Sequence, residues 1–325
     1  MPDVLPTRAP GSLGSLGLGA ANLGNLYREM TDDDAWEVLA AAWDSGIRYF
    51  DTAPHYGLGL SERRLGSFLA TRPRSAYVLS TKVGRLLRPS PQSAHRCDSE
   101  HHFAVPASLS RVWDFSADGV RRSLEESLSR LGLDSVDIVY LHDPEEDDLV
   151  TALATGVPAA VRLRDEGLVR AVGIGSKSTD AVLAGVRTGA LDLAMVAGRL
   201  TLLEQPASAE VVPECRERGV RLVAAAVFNS GVLAAPNPGR GARYEYAEAP
   251  AEVLDRARRI EAVCRSYGVE LPTAALQFPL REEVVSCVVV GAATPAQVRD
   301  NVRRLQQDVP EALWHDLAAQ GLVAR

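Results

Sequence analysis

Short apolar runs alternate with segments of helical period along almost the whole chain. Residues 16–20 form the first run. Residues 32–46 (DDDAWEVLAAAWDSG) open on three acids, which suit a helix N-terminus, and close on a glycine, which suits a C-cap. Residues 47–54 (IRYFDTAP) read as a short buried strand, 61–72 as a helix and 76–84 (AYVLSTKVG) as a strand. Helix 116–132 carries Leu124, Leu128 and Leu131 on one stripe. Strand 136–142, helix 149–167, strand 169–176 and helix 178–189 follow, then a strand within 191–203 and helix 207–219. Strand 220–228, helix 251–267, strand 284–291 and helix 295–306 complete the alternation. A last helix over about 310–321 lies within a C-terminal element at 310–325. The strand cores are continuous rather than alternating, as parallel strands buried on both faces should be. Eight strands, each followed by a helix, predict an α/β fold of the (β/α)8 TIM-barrel type.

The chain has 325 residues, enough for two ordinary domains or one barrel with insertions. No Pro/Gly/Ser linker divides it, so residues 1–325 read as one domain with a flexible lead at 1–11. The early glycines (GSLGSLGLGA) do not place a G-x-G-x-x-G between a strand and a helix, which disfavours a Rossmann domain. Thirty-five Lys and Arg against 42 Asp and Glu leave a net charge of −7, so a nucleic-acid partner is not expected. No run approaches the ~18 apolar residues of a membrane span, and no membrane partner is expected. The start, MPDVLPTRAPGS, lacks the basic and apolar pattern of a secretory signal. Cys97, Cys215, Cys264 and Cys287 are widely spaced, with no CxxC pair. They read as reduced thiols of a cytoplasmic protein. The oligomeric state is open.

In a barrel, chemistry gathers at the carboxyl ends of the strands. Asp51, His55 and Tyr56 stand at the end of the second strand, Lys82 at the third, and His142 and Asp143 at the fourth. Charged groups at the ends of buried strands are costly unless paired. The set is open to three chemistries. One is a structural ion-pair network. Another is a metal-activated water held by Asp51, His55, His142 and Asp143. The absence of H-x-H on the first strand, and Lys82 in the middle, speak against a metal, and none is expected. The third is an acid/base site on Tyr56. A free phenol titrates near pH 10, and lowering that by ~3 units takes about 4 kcal/mol of differential interaction. A buried Lys82 ammonium oriented by Asp51 is expected to supply much of it, with His142 donating to a substrate oxygen. Such a site moves a proton between Tyr56 and an alcohol or carbonyl oxygen. It needs a hydride carrier from outside, for which a nicotinamide is the obvious choice.

These residues lie in Asp51-Thr52-Ala53-Pro54-His55-Tyr56-Gly57, Ser61-Glu62, Ser80-Thr81-Lys82 and Leu141-His142-Asp143-Pro144. Arg122-Ser123-Leu124-Glu125 with Leu128, Arg130-Leu131-Gly132 and Asp137 lie between them, and residues 291–301 (GAATPAQVRDN) come last. With these motifs in order, the chain resembles the aldo-keto reductase family from about Gly17 to Asn301. The resemblance implies a catalytic tetrad of Asp51, Tyr56, Lys82 and His142. It implies a nicotinamide-holding Ser176, beside Lys177 where the family usually has Asn, and Ala197 or Gly198 where Gln is common. It assigns Asn229, Ser230, Gly231, Val232 and Leu233 to a pyrophosphate strap, whose backbone amides would hold the phosphates. It places the adenosine against Gly291, Ala292, Thr294, Gln297, Asp300 and Asn301. NADP-preferring members put Lys or Arg near the 2′-phosphate. Gly291, Ala292, Ala293 and Gln297 are uncharged, so NAD is expected, with NADP as the alternative.

A narrower likeness runs through Gly24-Asn25-Leu26-Tyr27, residues 57–66 (GLGLSERRLG), Gly84-Arg85-Leu86-Leu87 and Asp114-Phe115-Ser116. It resembles the subgroup of L-fucose and D-threo-aldose 1-dehydrogenases and pyridoxal 4-dehydrogenase. That implies oxidation of an aldose C1 hydroxyl, with a small-molecule sugar or aldehyde as the partner. The alternatives are an NADPH-dependent aldehyde or ketone reductase of a biosynthetic pathway and a low-activity cofactor-sensing subunit. The long polar insertion after the third strand, from Gly84 to Trp113 within a loop at 85–115, is expected to recognise substrate. It carries His95, Cys97, His101 and His102 at irregular spacing, which argues against a metal site. His55 is expected beside the substrate. Trp113 is expected either to pack on a sugar ring or to anchor the loop.

Overall fold

The computed structural model describes residues 13–239 and 241–324. The expected flexible lead at 1–11 lies outside the described residues. The barrel strands are β1 (Leu16–Gly19), β2 (Tyr49–Asp51), β3 (Val78–Val83), β4 (Ile138–His142), β5 (Ala171–Ser176), β6 (Leu193–Ala197), β7 (Arg221–Ala225) and β8 (Val285–Gly291). Each pairs in parallel with its neighbours in chain order, and β8 pairs with β1 to close the ring. The single (β/α)8 barrel read from the alternating pattern is therefore present.

Helices α1 (Asp32–Asp44), α2 (Leu60–Leu69), α3 (Ala117–Leu131), α4 (Leu149–Asp165), α5 (Thr179–Arg187) and α6 (Val211–Arg218) connect the first seven strands. Local chemistry starts them. The Thr31 side chain accepts from Asp34 N–H while Asp34 accepts from Thr31 N–H, a capping box. Ser116 and Ser178 cap α3 and α5. Two helices follow β7, not one. Besides α7 (Ala251–Ser266) there is α8 (Leu271–Gln277), and α8 packs on α9 (Pro295–Leu305). Helix α7 instead shares an apolar cluster with α8 and α10 (Glu311–Ala319), through Ile260, Cys264, Ala274, Trp314 and Leu317.

The barrel interior is filled by Tyr49, Tyr140, Met195, Val223, Cys287 and Val289. The two tyrosines need room. A Cβ on Gly173 would lie 2.7 Å from the Tyr140 ring, so this strand position takes no larger residue without a shift. The Tyr49 hydroxyl bonds to both Tyr140 and Ser80, carrying a polar chain up through the core toward the carboxyl ends of the strands.

The long loop after β3 is not irregular throughout. Arg85–Pro89 and Leu109–Trp113 pair as an antiparallel hairpin that rises directly from the end of β3. A second, two-residue hairpin, Arg243–Tyr244 with Ala247–Glu248, lies between β7 and α7. Neither was evident from periodicity. No described helix is long and apolar enough to cross a membrane.

Candidate active site

The ends of β2, β3 and β4 bring Asp51, Lys82 and His142 together, and the turn after β2 adds Tyr56. Gly57 shapes that turn. It sits at φ +61°, and a Cβ there would fall 2.2 Å from the Gly24 carbonyl oxygen, so β1's loop can press against the Tyr56 turn only over glycine.

Lys82 Nζ donates to Asp51 Oδ2 (2.6 Å), the Thr52 carbonyl (3.0 Å) and the Tyr56 hydroxyl oxygen (3.1 Å). An ammonium has three donors, and all three are used. The Tyr56 oxygen accepts from Lys82, which leaves the phenol's own hydrogen free for a substrate oxygen. Asp51 is held in turn by the Ser80 hydroxyl on Oδ1 (2.7 Å). Lys82 and Asp51 side chains are each 3 % exposed. Burial pushes the Lys82 ammonium down, but Asp51 and the Tyr56 oxygen lift it above its ordinary value, so it stays charged.

One expectation is corrected. Lys82 was expected to hold the Tyr56 phenol well below its usual range. Instead the phenol is raised: burial outweighs the pull of the ammonium, and Asp51 adds to the rise. Tyr56 is therefore a neutral acid at pH 7. His142 is held well below the usual imidazole range by burial and by the nearby cations Arg85 and Lys82, so its ring is neutral. His142 Nε2 lies 3.4 Å from Asp143 Oδ2, and its buried Nδ1 has no hydrogen-bond partner among the described residues.

His55 packs among the site's rings, with ring centroids 6.1 Å from Tyr56, 5.7 Å from His142 and 5.2 Å from His101. Burial and two arginines keep it neutral. Arg111, ion-paired with Asp98 across the insertion, donates to the His55 carbonyl at 2.9 Å and pins the turn. Trp113 stacks on Phe115 and lies under the Arg85 guanidinium, 4.2 Å from its carbon. It anchors the hairpin and props Arg85. Among the described residues no group of three or more His, Cys, Asp or Glu is placed to hold a metal ion.

The opposite wall holds the other expected residues. Ser176, at the end of β5, donates to Glu145 and accepts from Ser178 N–H (2.8 Å). Glu145 Oε2 is buried without a hydrogen-bond partner among the described residues. After β7, Asn229, Ser230 and Gly231 take positive φ values of 45°, 59° and 117°. The amides of Asn229, Gly231 and Leu233 donate to Ala226 and Phe228 carbonyls within the turn (2.9, 2.9 and 3.2 Å), and that of Val232 points to Asn229 O at 3.4 Å. These four amides bond within the turn, whereas the Ser230 amide has no such partner among the described residues. The side chains are freer. Asn229 Nδ2 donates to Gly198 O and Glu204, while its buried Oδ1 has no partner among the described residues. Ser230 Oγ accepts from Tyr246 N–H, at the tip of the second hairpin. Tyr246 stacks on His102 (5.3 Å), and Glu245 bonds to Arg199 (2.9 Å) and lies 3.5 Å from Lys177.

At the end of β8, Gly291 and Ala292 lead into Thr294, which caps α9, and Gln297 folds back to accept from Ala293 N–H (2.7 Å). Asp300 pairs with Arg303, and Asn301 is buried. One cation was missed here: Arg28, from the loop after β1, points to the Ala293 carbonyl at 3.4 Å. Arg85, Glu145 and Tyr246 were missed as well. Only Arg85 left a signal, a lone arginine following the glycine after the Lys82 strand.

Two buried acceptors, Glu145 Oε2 beside Ser176 and Asn229 Oδ1 beside Gly198, have no partner among the described residues. They fit a ligand that brings hydrogen-bond donors, as a nicotinamide dinucleotide does through its carboxamide and ribose hydroxyls.

Residues 15–318 match the model of the aldo/keto reductase family. The chain is 55 % identical to a D-threo-aldose 1-dehydrogenase from a Pseudomonas species, over 95 % of this chain and 94 % of that protein. It is 40 % identical to the pyridoxal 4-dehydrogenase of Microbacterium luteolum, over 95 % and 94 % of the two chains. Among solved structures, an aldo-keto reductase from Bacillus halodurans in its holo form superposes with a TM-score of 0.73 at 25 % identity, covering 95 % of this chain and 92 % of that one.

Proposed function

The chain belongs to the aldo/keto reductase family, and from that premise we propose that it oxidises the C1 hydroxyl of an aldose to the lactone. It is an oxidoreductase that works with a nicotinamide cofactor. The bound dinucleotide supplies the two-electron hydride acceptor. The protein's own part is proton transfer and orientation. His142 Nε2–H directs the C1 oxygen toward Tyr56, and Tyr56 exchanges the hydroxyl proton. Lys82 stabilises the phenolate, and Asp51 keeps Lys82 charged. Ser176, Asn229 and Ser230 hold the dinucleotide with Glu145, and residues 291–301 receive its adenosine. An aldose as substrate is supported by the likeness to the D-threo-aldose enzyme. The observation that carries the chemistry is the single Lys82 ammonium shared by Asp51, Thr52 O and Tyr56.

NAD is the favoured dinucleotide, because Gln297 is turned back onto the Ala293 N–H and Gly291, Ala292 and Ala293 are uncharged. Four unpaired thiols suit the reducing cytoplasm. A second reading, reduction of an aldehyde with NADPH, is favoured by two observations: neutral Tyr56 is ready to act as an acid, and Arg28 offers a cation near the adenosine end. Following reduced nicotinamide by absorbance, with NAD and NADP against a panel of aldoses, decides between them. Aldose oxidation is expected, and its rate should climb as pH rises above neutrality, since a raised phenol must lose its proton to act as base. Turnover of simple aldehydes alone, fastest with NADPH, would sink the aldose reading.

A further inference from the structure

We propose that Arg85 and Asp143 form a polyol subsite, Asp143 accepting from and Arg85 donating to the hydroxyls next to the reacting carbon. The proposal deepens the aldose reading above and rests on it for the identity of the natural substrate.

Asp143 follows His142 at the end of β4. It holds φ +42°, a region an aspartate occupies only at a cost. Its N–H is fixed to the Gly175 carbonyl (2.9 Å), so the strained backbone holds the carboxylate beside the catalytic imidazole rather than out in solvent. Oδ2 takes both nearby contacts, from Arg85 Nη2 and, at 3.4 Å, from His142 Nε2. The side chain remains 20 % exposed.

Arg85 approaches from the hairpin. Its plane is set by Trp113 on one side, and Nη1 reaches His55 Nδ1 at 3.2 Å. Nε is buried and has no hydrogen-bond partner among the described residues. A buried guanidinium with an unused donor is expensive unless something else meets it. Asp143 touches both Arg85 and His142, and the His142 ring centroid lies 6.1 Å from that of Tyr56, so the pair neighbours the reacting oxygen. Adjacent hydroxyls are each a donor and an acceptor, so a carboxylate beside a forked cation matches a diol. A purely structural brace would need no strained aspartate next to the catalytic histidine.

The test compares reduction of glyceraldehyde with that of propanal, which lacks the hydroxyls, in wild type, Asp143→Asn and Arg85→Lys. Wild type is expected to prefer glyceraldehyde in kcat/KM by roughly a hundredfold, since a site built for hydroxyls leaves its polar groups unpaired with propanal. Both variants should lose about tenfold or more of that preference, through a larger rise in KM for glyceraldehyde than for propanal, while any loss in kcat through His142 falls on both aldehydes and cancels in the ratio. Thermal melting of each variant checks that it is folded. Equal losses on both aldehydes, or a preference that survives both substitutions, would overturn the subsite. A wild type that prefers glyceraldehyde but oxidises no aldose would overturn the aldose reading and leave the subsite standing.

Discussion

At the ends of β2 and β3 every donor of Lys82 has an acceptor, and both Asp51 oxygens have donors. Across the mouth, by β5 and β7, Glu145 Oε2 and Asn229 Oδ1 are buried with no partner among the described residues, while the tip of the second hairpin leans on Ser230 and Lys177. The first corner is organised before any ligand arrives. The second is built as a set of unmet acceptors. Proton transfer tolerates little misplacement, so its groups gain from a fixed network. On the proposed assignment, a wall that binds and releases a dinucleotide gains from groups whose bonding is completed by the ligand, because binding then relieves an existing cost.

Tyr56→Phe breaks that contrast most sharply. It removes the hydroxyl that Lys82 reaches at 3.1 Å. The kcat should fall by about 10³ or more, the scale of lost general acid–base catalysis. Dinucleotide affinity, read by quenching of intrinsic fluorescence, should change by less than about twofold. A large loss of affinity would mean that the two corners are not separate.

Asn229→Ala is the converse. It deletes an orphaned acceptor, and should weaken dinucleotide binding by about tenfold while kcat at saturation stays near wild type, since one hydrogen bond is worth about 1 kcal/mol or somewhat more. Calorimetric titration measures it. Unchanged affinity would show that Oδ1 meets something other than the cofactor.

The contrast was only half visible in the amino-acid order. The barrel was legible because its strands are continuous apolar runs at regular spacing, and the tetrad because Asp51, Tyr56, Lys82 and His142 each follow such a run. Helix α8 was not. LPTAALQ is short, starts with proline at its second position and is buried at Leu271 through Leu276, so it shows no polar face to mark a period. The pairing of Arg85 with Asp143 spans 58 positions and depends on the hairpin that no alternation announced. The direction of the Tyr56 shift escaped for another reason. Residue types name the charge partners, but desolvation depends on how deeply the phenol is packed, and here depth outweighs charge.

The smallest expected effect concerns the adenosine end, where both corners are distant. Arg28 is exposed, and its guanidinium meets the Ala293 carbonyl at 3.4 Å, a weak contact that leaves the fork available. An exposed cation is screened and holds a phosphate by a modest margin. Arg28→Ala should therefore weaken NADP by about threefold to fivefold and leave NAD within about twofold, both read as Kd at low ionic strength. The difference should shrink as salt is added, because screening removes what the charge contributed. If NAD and NADP weaken together, Arg28 acts through the Ala293 turn and the shape of the α9 start, and the preference for NAD then rests on the uncharged positions around Gln297 alone.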